Sequence, residues 1–336
     1  MKRSDGMRNP GNPNAAGDSP KAPSAPAPGA PRGKRTPGWR PFLALAALAA
    51  VLALCFIVPL CDWVGFSMDS QFYSYMPLMP LITGYLIWIR RAGLGAEVRP
   101  GWGAAAAAAA AGGAVLALYW YALQKGWIPA EQDYLAVMML GFLLLLLAAG
   151  FASLGAAMMS AIAFPLAMLL FMVPYPKIVN DGLETFFQHT SAAAAHGFFS
   201  LAFTHCRQEG LTLNLPTDFR LRVAPECSGI HSSQVLLITS LLAGNLFLRS
   251  TWRRVFLALF VIPLAIVRNG FRIFVVGELC VHISHGMIHS WIHRQGGPVF
   301  FALSLIPFFL FLIWLRKTES KMQNTVEFED NPQQKI

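Results

Sequence analysis

Apolar runs separated by short polar segments divide most of this chain into membrane-length units. Runs of about eighteen or more apolar residues match a bilayer core of roughly 30 Å. The pattern predicts spans at Phe42–Leu60, Tyr75–Ile89, Ala104–Leu123, Tyr134–Phe151, Ala156–Val173, Ser228–Leu248, Val255–Val276 and Pro298–Leu315. The total is eight, so the expected fold is an all-α polytopic membrane protein. The Ala105–Ala111 stretch gives the third span a run of low hydrophobicity per residue. The first run is too long for the core of a secretory signal, lacks a small-residue cleavage site, and reads as an uncleaved span.

One long segment breaks the rhythm. Pro174 to Cys227 opens with an amphipathic stretch, Ile178–Phe203, which suits a helix. It continues with Leu211–Leu215 and Phe219–Val223, two runs that alternate apolar and polar residues around Pro216-Thr217-Asp218. That alternation predicts a small β-hairpin delivering Cys227 to the membrane surface.

Charge orients the spans. Arg90, Arg91 and Arg99, then Arg249, Arg253 and Arg254, then Arg316, Lys317 and Lys321 fall in every second loop, on the side of the basic N-terminal tail. The uncharged Ala152–Gly155 turn is the one exception. By the positive-inside rule these loops and both termini are cytoplasmic, and 174–227 is extracytoplasmic. Residues 1–40, rich in Pro, Ala, Gly and Ser, are expected to form a disordered basic tail. Residues 41–315 form the membrane domain, and 316–336 a cytoplasmic C-terminal tail.

Composition agrees: 55% of residues are hydrophobic and only 13% charged, where a soluble domain has about a quarter charged. The net charge of +9 is accounted for by topology and needs no nucleic-acid partner. Five cysteines (55, 61, 206, 227, 280) contain no CxxC pair, so neither a zinc ribbon nor a thioredoxin-like motif is indicated. One outer-face disulfide is compatible with the pattern, which does not choose its members.

Several polar residues meet at one depth. Cys227 opens the sixth span from the outer side, where free helix N–H groups and the helix dipole would favour a thiolate. Arg272 lies eighteen residues after the inner anchor Arg254, roughly 27 Å along a helix, with Asn269 one turn below on the same face. His293 precedes the last span on that side. Cysteine, arginine and histidine there can divide nucleophilic attack, oxyanion stabilisation and proton transfer. Plainer readings exist: a packing cysteine, a snorkelling arginine, a surface histidine. Arg268, deeper still, can pair with Glu278 or with backbone carbonyls. Arg268, Asn269 and Arg272 can also line a transport pathway. His282, His285, His289 and His293 form a helical stripe that can bind a metal or haem iron.

Pro225-Glu226-Cys227-Ser228-Gly229-Ile230, Asn269-Gly270-Phe271-Arg272, and His293 with Gly297, Phe300 and Phe301 together resemble the exosortase/archaeosortase family of membrane cysteine transpeptidases. The resemblance spans about residues 60–315. It implies Cys227, Arg272 and His293 as catalytic residues, supported by Ser228, Gly229 and Asn269, with no cofactor or metal. Where the family usually has Arg after Cys-Ser-Gly-Ile this chain has His231, a rival for a supporting role; His289 is the rival of His293. The implied substrates are secreted proteins with a C-terminal recognition motif, membrane helix and basic tail, cut at the outer face of a bacterial inner membrane through a thioester. An unidentified acceptor amine would complete transfer, water would give hydrolysis, and the implied setting is extracellular polysaccharide production.

Overall fold

A computed structural model describes residues 40–70, 72–91, 99–216, 219–283 and 297–330. The helices are α1 (Arg40–Cys55), α2 (Ile57–Asp69), α3 (Leu78–Arg90), α4 (Trp102–Gln124), α5 (Glu131–Ala161), α6 (Ala163–Met168), α7 (Lys177–Leu201), α8 (Ile230–Phe247), α9 (Thr251–His282) and α10 (Gly297–Asp330). A three-stranded sheet, β1 (Arg207–Glu209), β2 (Thr212–Asn214) and β3 (Arg220–Arg222), lies between α7 and α8 in sequence. An all-α polytopic membrane protein is the result.

Among the described residues five helices, α4, α5, α8, α9 and α10, are long and apolar enough to cross a bilayer. The number rises to seven if each of two bent pairs forms one span, against the eight expected from hydropathy. The differences have a common cause. The run expected as the first span breaks at Phe56 into α1 and α2, bent by 77°. The run expected as the fifth breaks at Ile162, and its continuation through α6 meets α7 at 90°. The second expected span is α3, whose thirteen residues reach only roughly 20 Å. α2, α3 and α6 each start two residues before a proline: Pro59, Pro80 and Pro165. Proline lacks the N–H that would bond four residues back, and it is tolerated in a first turn where that N–H has no helical partner. Hydropathy averages over such breaks. By contrast Pro263 and Pro307 lie inside continuous α9 and α10.

The uncharged Ala152–Gly155 turn is real: α5 leaves helical geometry at Gly155 (φ 79°, ψ 166°). A side chain there would strike the Arg99 carbonyl, so only glycine fits both the left-handed φ and the close approach. The turn therefore sits against one of the arginines that its own sequence lacks.

Many large apolar side chains point outward, among them Leu118, Trp120, Ile306, Leu310 and Trp314, as lipid-facing helices require. The buried side of α9 runs Leu257, Val261, Ala265, Arg268 and Asn269, a stripe at helical spacing. α7 packs closely across it. A Cβ at Gly270 would lie 2.6 Å from Ala194 Cβ, and one at Gly277 2.5 Å from Phe199 Cζ. Small residues permit this approach of two membrane helices.

The arginine-rich end is tied together by polar contacts. Arg90 donates to Asn245 Oδ1 at 2.9 Å, Arg254 Nε to Leu248 O at 2.9 Å, and Arg253 to Leu315 O at 2.5 Å. Glu319 on α10 accepts the N–H groups of Arg249 (3.2 Å) and Ser250 (2.7 Å), capping α9 from a neighbouring helix. The opposite end carries acidic and aromatic contacts: Tyr134 to Asp62 at 3.2 Å and the Lys177 N–H to Asp133 at 2.8 Å.

Candidate active site

The predicted hairpin is present, with one strand more than expected. β2 and β3 pair antiparallel with Leu213 opposite Leu221, and β1 adds to β2 through Gln208 opposite Leu213. The turn residues 217 and 218 lie outside the described residues. Alternation explains the seat of the sheet. Leu213, Leu215, Leu221 and Val223 turn inward and pack on Ala192, Ala195 and Phe199 of α7 and Ile273 of α9. Arg220 and Arg222 turn out to solvent.

From this platform the chain reaches Pro225–Cys227, a single 3-10 turn closed by Cys227 N–H to Ala224 O at 2.8 Å. Expected in the first turn of a membrane helix, Cys227 instead stands three residues before α8 begins at Ile230. Gly229 separates the two turns with φ 73°. A Cβ on Gly229 would lie 2.6 Å from Asn269 Cγ, so glycine supplies both the left-handed backbone and the space for Asn269. Ser228 is buried, and its Oγ stands 3.4 Å from the Ile230 N–H.

Two neighbours on α9 hold this turn. Asn269 Nδ2 donates to Cys227 O at 2.7 Å. Arg268 Nη2 donates to Gly229 O at 3.2 Å and approaches Ser233 Oγ at 3.5 Å. Arg268 is buried, and its Nη1 has no hydrogen-bond partner. Of the two roles open to Arg268, the backbone-carbonyl one holds. Glu278 is engaged elsewhere, accepting from Thr204 Oγ1 at 2.6 Å and lying 2.9 Å from His282 Nε2. A transport pathway through Arg268 and Asn269 is not favoured, since each donates to a backbone carbonyl around Cys227.

Arg272, one turn above Arg268, lines a cavity of about 130 Å³ together with Cys227. The other lining residues are Leu221, Arg222, Val223 and Ala224 from the sheet side and Ile273 and Val276 from α9. Cys227 and Arg272 thus line one partly apolar recess beside the sheet. Such a recess concentrates a cation's effect on a thiolate or an oxyanion, because little water intervenes to screen it.

His231 does not join them in that cavity. Its Nδ1 lies 3.1 Å from the Phe72 carbonyl, and its ring meets Phe72 edge-on. That contact ties α8 to the loop before α3. His293 and His289 lie outside the described residues, as does His285. Of the histidine stripe only His282 is described, beside Glu278. No group of three metal-ligating side chains occurs among the described residues.

No disulfide joins any of the five cysteines, so the outer-face pair admitted by the sequence is not formed. Cys206 packs against the same hydrophobic cluster as Cys227. Burial pushes its thiol pKa up, which disfavours its thiolate at neutral pH. The sequence left open whether Arg268 meets Glu278 or backbone carbonyls, and it did not point to the Gly229 carbonyl as the partner. Its one signal was depth: an arginine that far inside a span needs a buried partner.

A family model described as transmembrane exosortase matches residues 63–310, well over half of the chain. No curated protein and no solved structure matches it.

Proposed function

The chain belongs to the transmembrane exosortase family, and from that premise we propose that it is a membrane cysteine protease/transpeptidase with Cys227 as nucleophile. The substrate is a secreted protein carrying a C-terminal recognition motif, an apolar helix and a basic tail. The Cys227 thiolate attacks the carbonyl carbon of the scissile peptide bond. Arg272 stabilises the thiolate beforehand and the oxyanion afterwards. The C–N bond breaks, the departing amine takes a proton from His293, and the substrate remains as a thioester on Cys227. An acceptor amine then displaces the thiolate to complete transfer, or water hydrolyses the thioester. His293 receives its part from its place in the sequence, and His289 is its rival.

The observation that carries this reading is the recess shared by Cys227 and Arg272. Asn269 supports it by fixing the Cys227 carbonyl, which limits the directions the thiol can point. The membrane setting fits as well: an anchored substrate would present its scissile bond at a fixed depth. We place the protein in a bacterial inner membrane, with both termini cytoplasmic, the arginine-rich end inward and Cys227 on the extracytoplasmic side. The physiological role is protein sorting linked to extracellular polysaccharide.

Expression of Cys227→Ala in the native host tests the reading. Secreted proteins with the three-part C-terminus should accumulate at precursor size, while the variant reaches the membrane at normal levels. Continued processing would remove Cys227 from the chemistry.

A further inference from the structure

One wall of the Cys227 recess is a continuous run of extended backbone, Leu221 to Ala224. Its ladder is one-sided. Leu215 N–H bonds Phe219 O at 2.9 Å and Val223 N–H bonds Leu211 O at 2.9 Å. With Leu213 opposite Leu221, residues 219, 221 and 223 direct their backbone groups at β2. Antiparallel geometry then turns the N–H and C=O of Arg220 and Arg222, and the N–H of Ala224, to the other side. The strand order β1-β2-β3 makes β3 an edge, and no described residue pairs with it there. An unpaired edge ordinarily invites association with any extended chain, and proteins usually shorten, charge or cover it. This one carries two exposed arginines and ends five residues before the cysteine.

We infer that β3 is the docking edge for the polypeptide to be cut, which adds as a fourth strand beside Arg220–Ala224 and carries an acidic side chain opposite Arg222. The inference deepens the proposed function and rests on Cys227 as the nucleophile. Main-chain bonds to Arg222 and Ala224 would supply affinity without regard to sequence, and the side chain facing Arg222 would supply selection. Charge complementarity names the occupant. Arg220, Arg222 and Arg272 make this lip cationic, and Glu209, the one acidic side chain described on the sheet, is already paired with Arg207 at 3.1 Å. The apolar wall formed by Val223, Ile273 and Val276 would accept an uncharged residue of the same strand on its way to the thiol. Docking of this kind also explains the sheet itself. A three-stranded platform is a large device for holding one loop, but a suitable one for presenting a straight edge that leads into Cys227.

The test uses the purified full-length protein in detergent micelles and alanine pentapeptides ending in a chloromethyl ketone. The Cys227 thiolate forms the C–S bond as C–Cl breaks and chloride leaves. Each labelling rate is taken relative to that of iodoacetamide on the same protein. In two scans, each alanine in turn is replaced by Glu or by Gln; in a third, each peptide nitrogen in turn is methylated. Glu at one register should label Cys227 about fivefold faster than Gln at low ionic strength. That advantage should vanish in Arg222→Gln, an exposed substitution, and fade near 1 M salt. Methylation should slow labelling at alternate residues only, the signature of a strand, and this arm needs no variant. Equal Glu and Gln rates with no alternation, while iodoacetamide still labels Cys227, would overturn the docking edge and leave the nucleophile standing. The arginines would then serve only to keep the edge from pairing. Failure of iodoacetamide to label Cys227 would count against the nucleophile and the docking edge together.

Discussion

Helices α4 and α9 are both long enough to cross a membrane, yet they are built for different work. In its most apolar window α4 has 6% of its residues buried, against 44% for α9. The buried residues of α4 are Ala105 and Gly112, which let it lie close along α5. Those of α9 include Arg268 and Asn269, whose polar atoms end on the backbone of residues 227 and 229. Hydropathy alone accepts both as spans. What separates them is the cost of burying a charge: at about 2.5–3.5 kcal/mol for a central arginine on insertion scales, Arg268 would be a liability unless its hydrogen bonds were useful. α4 fills space against lipid, whereas α9 holds the turn that carries Cys227.

The sharpest break in that comparison is expected from Arg272→Ala. Loss of an oxyanion-stabilising donor lowers turnover on the order of a hundredfold or more, and Trp120→Ala on lipid-facing α4 should leave turnover within about twofold. Precursor-to-mature conversion, normalised to protein in the membrane, reads both. Next comes Gly229→Ala, which forces a left-handed backbone on a side chain and drives Cβ into Asn269. A loss of about 2–4 kcal/mol is expected. Gly113→Ala on α4 meets nothing within 4 Å and should stabilise by up to about 1 kcal/mol. Melting in a single detergent compares the two. Equal losses would erase the distinction between the helices. The smallest of the three losses is expected from Asn269→Leu, which keeps the branched heavy-atom outline and removes the donor to Cys227 O. About a tenfold fall in conversion should result, with slower alkylation of Cys227 while Cys206 labelling stays unchanged. Parallel slowing of both thiols would point to general loosening instead.

The features most legible in the sequence were those written by local pattern. Alternation in Leu211–Leu215 and Phe219–Val223 announced β2 and β3, because one face of each is apolar and packs on α7. β1 gave no such sign: Arg207-Gln208-Glu209 has no apolar alternation and exists as a strand only because β2 offers it a ladder. The amphipathic Ile178–Phe203 stretch became α7 nearly residue for residue. Span counting was less faithful, since Pro59 and Pro165 break runs that are continuous in hydropathy. At the site, Cys227, Arg272 and Asn269 were read from spacing along helices, and the fold brings them together. The helix start was misplaced by two residues because the left-handed Gly229 inserts a separate turn ahead of α8. The displacement of His231 toward Phe72 depends on a loop more than 150 residues away in sequence, which no local pattern encodes.

One consequence follows from α9 being fastened at two levels. Near its start Arg253 and Ser250 are bonded to α10, and fifteen residues after Arg254 the amide of Asn269 grips the Cys227 carbonyl. The rod between them measures roughly 22 Å and behaves as a ruler. It fixes how far the sulfur stands from the arginine-rich rim, whatever the lipids do. In the proposed orientation that distance sets the depth of the sulfur; in a thicker bilayer the ruler does not lengthen, so the membrane must pinch or the helix must straighten. Acyl-chain length should therefore shift the residue at which a threaded polypeptide is severed, making lipid composition a dial on the cut.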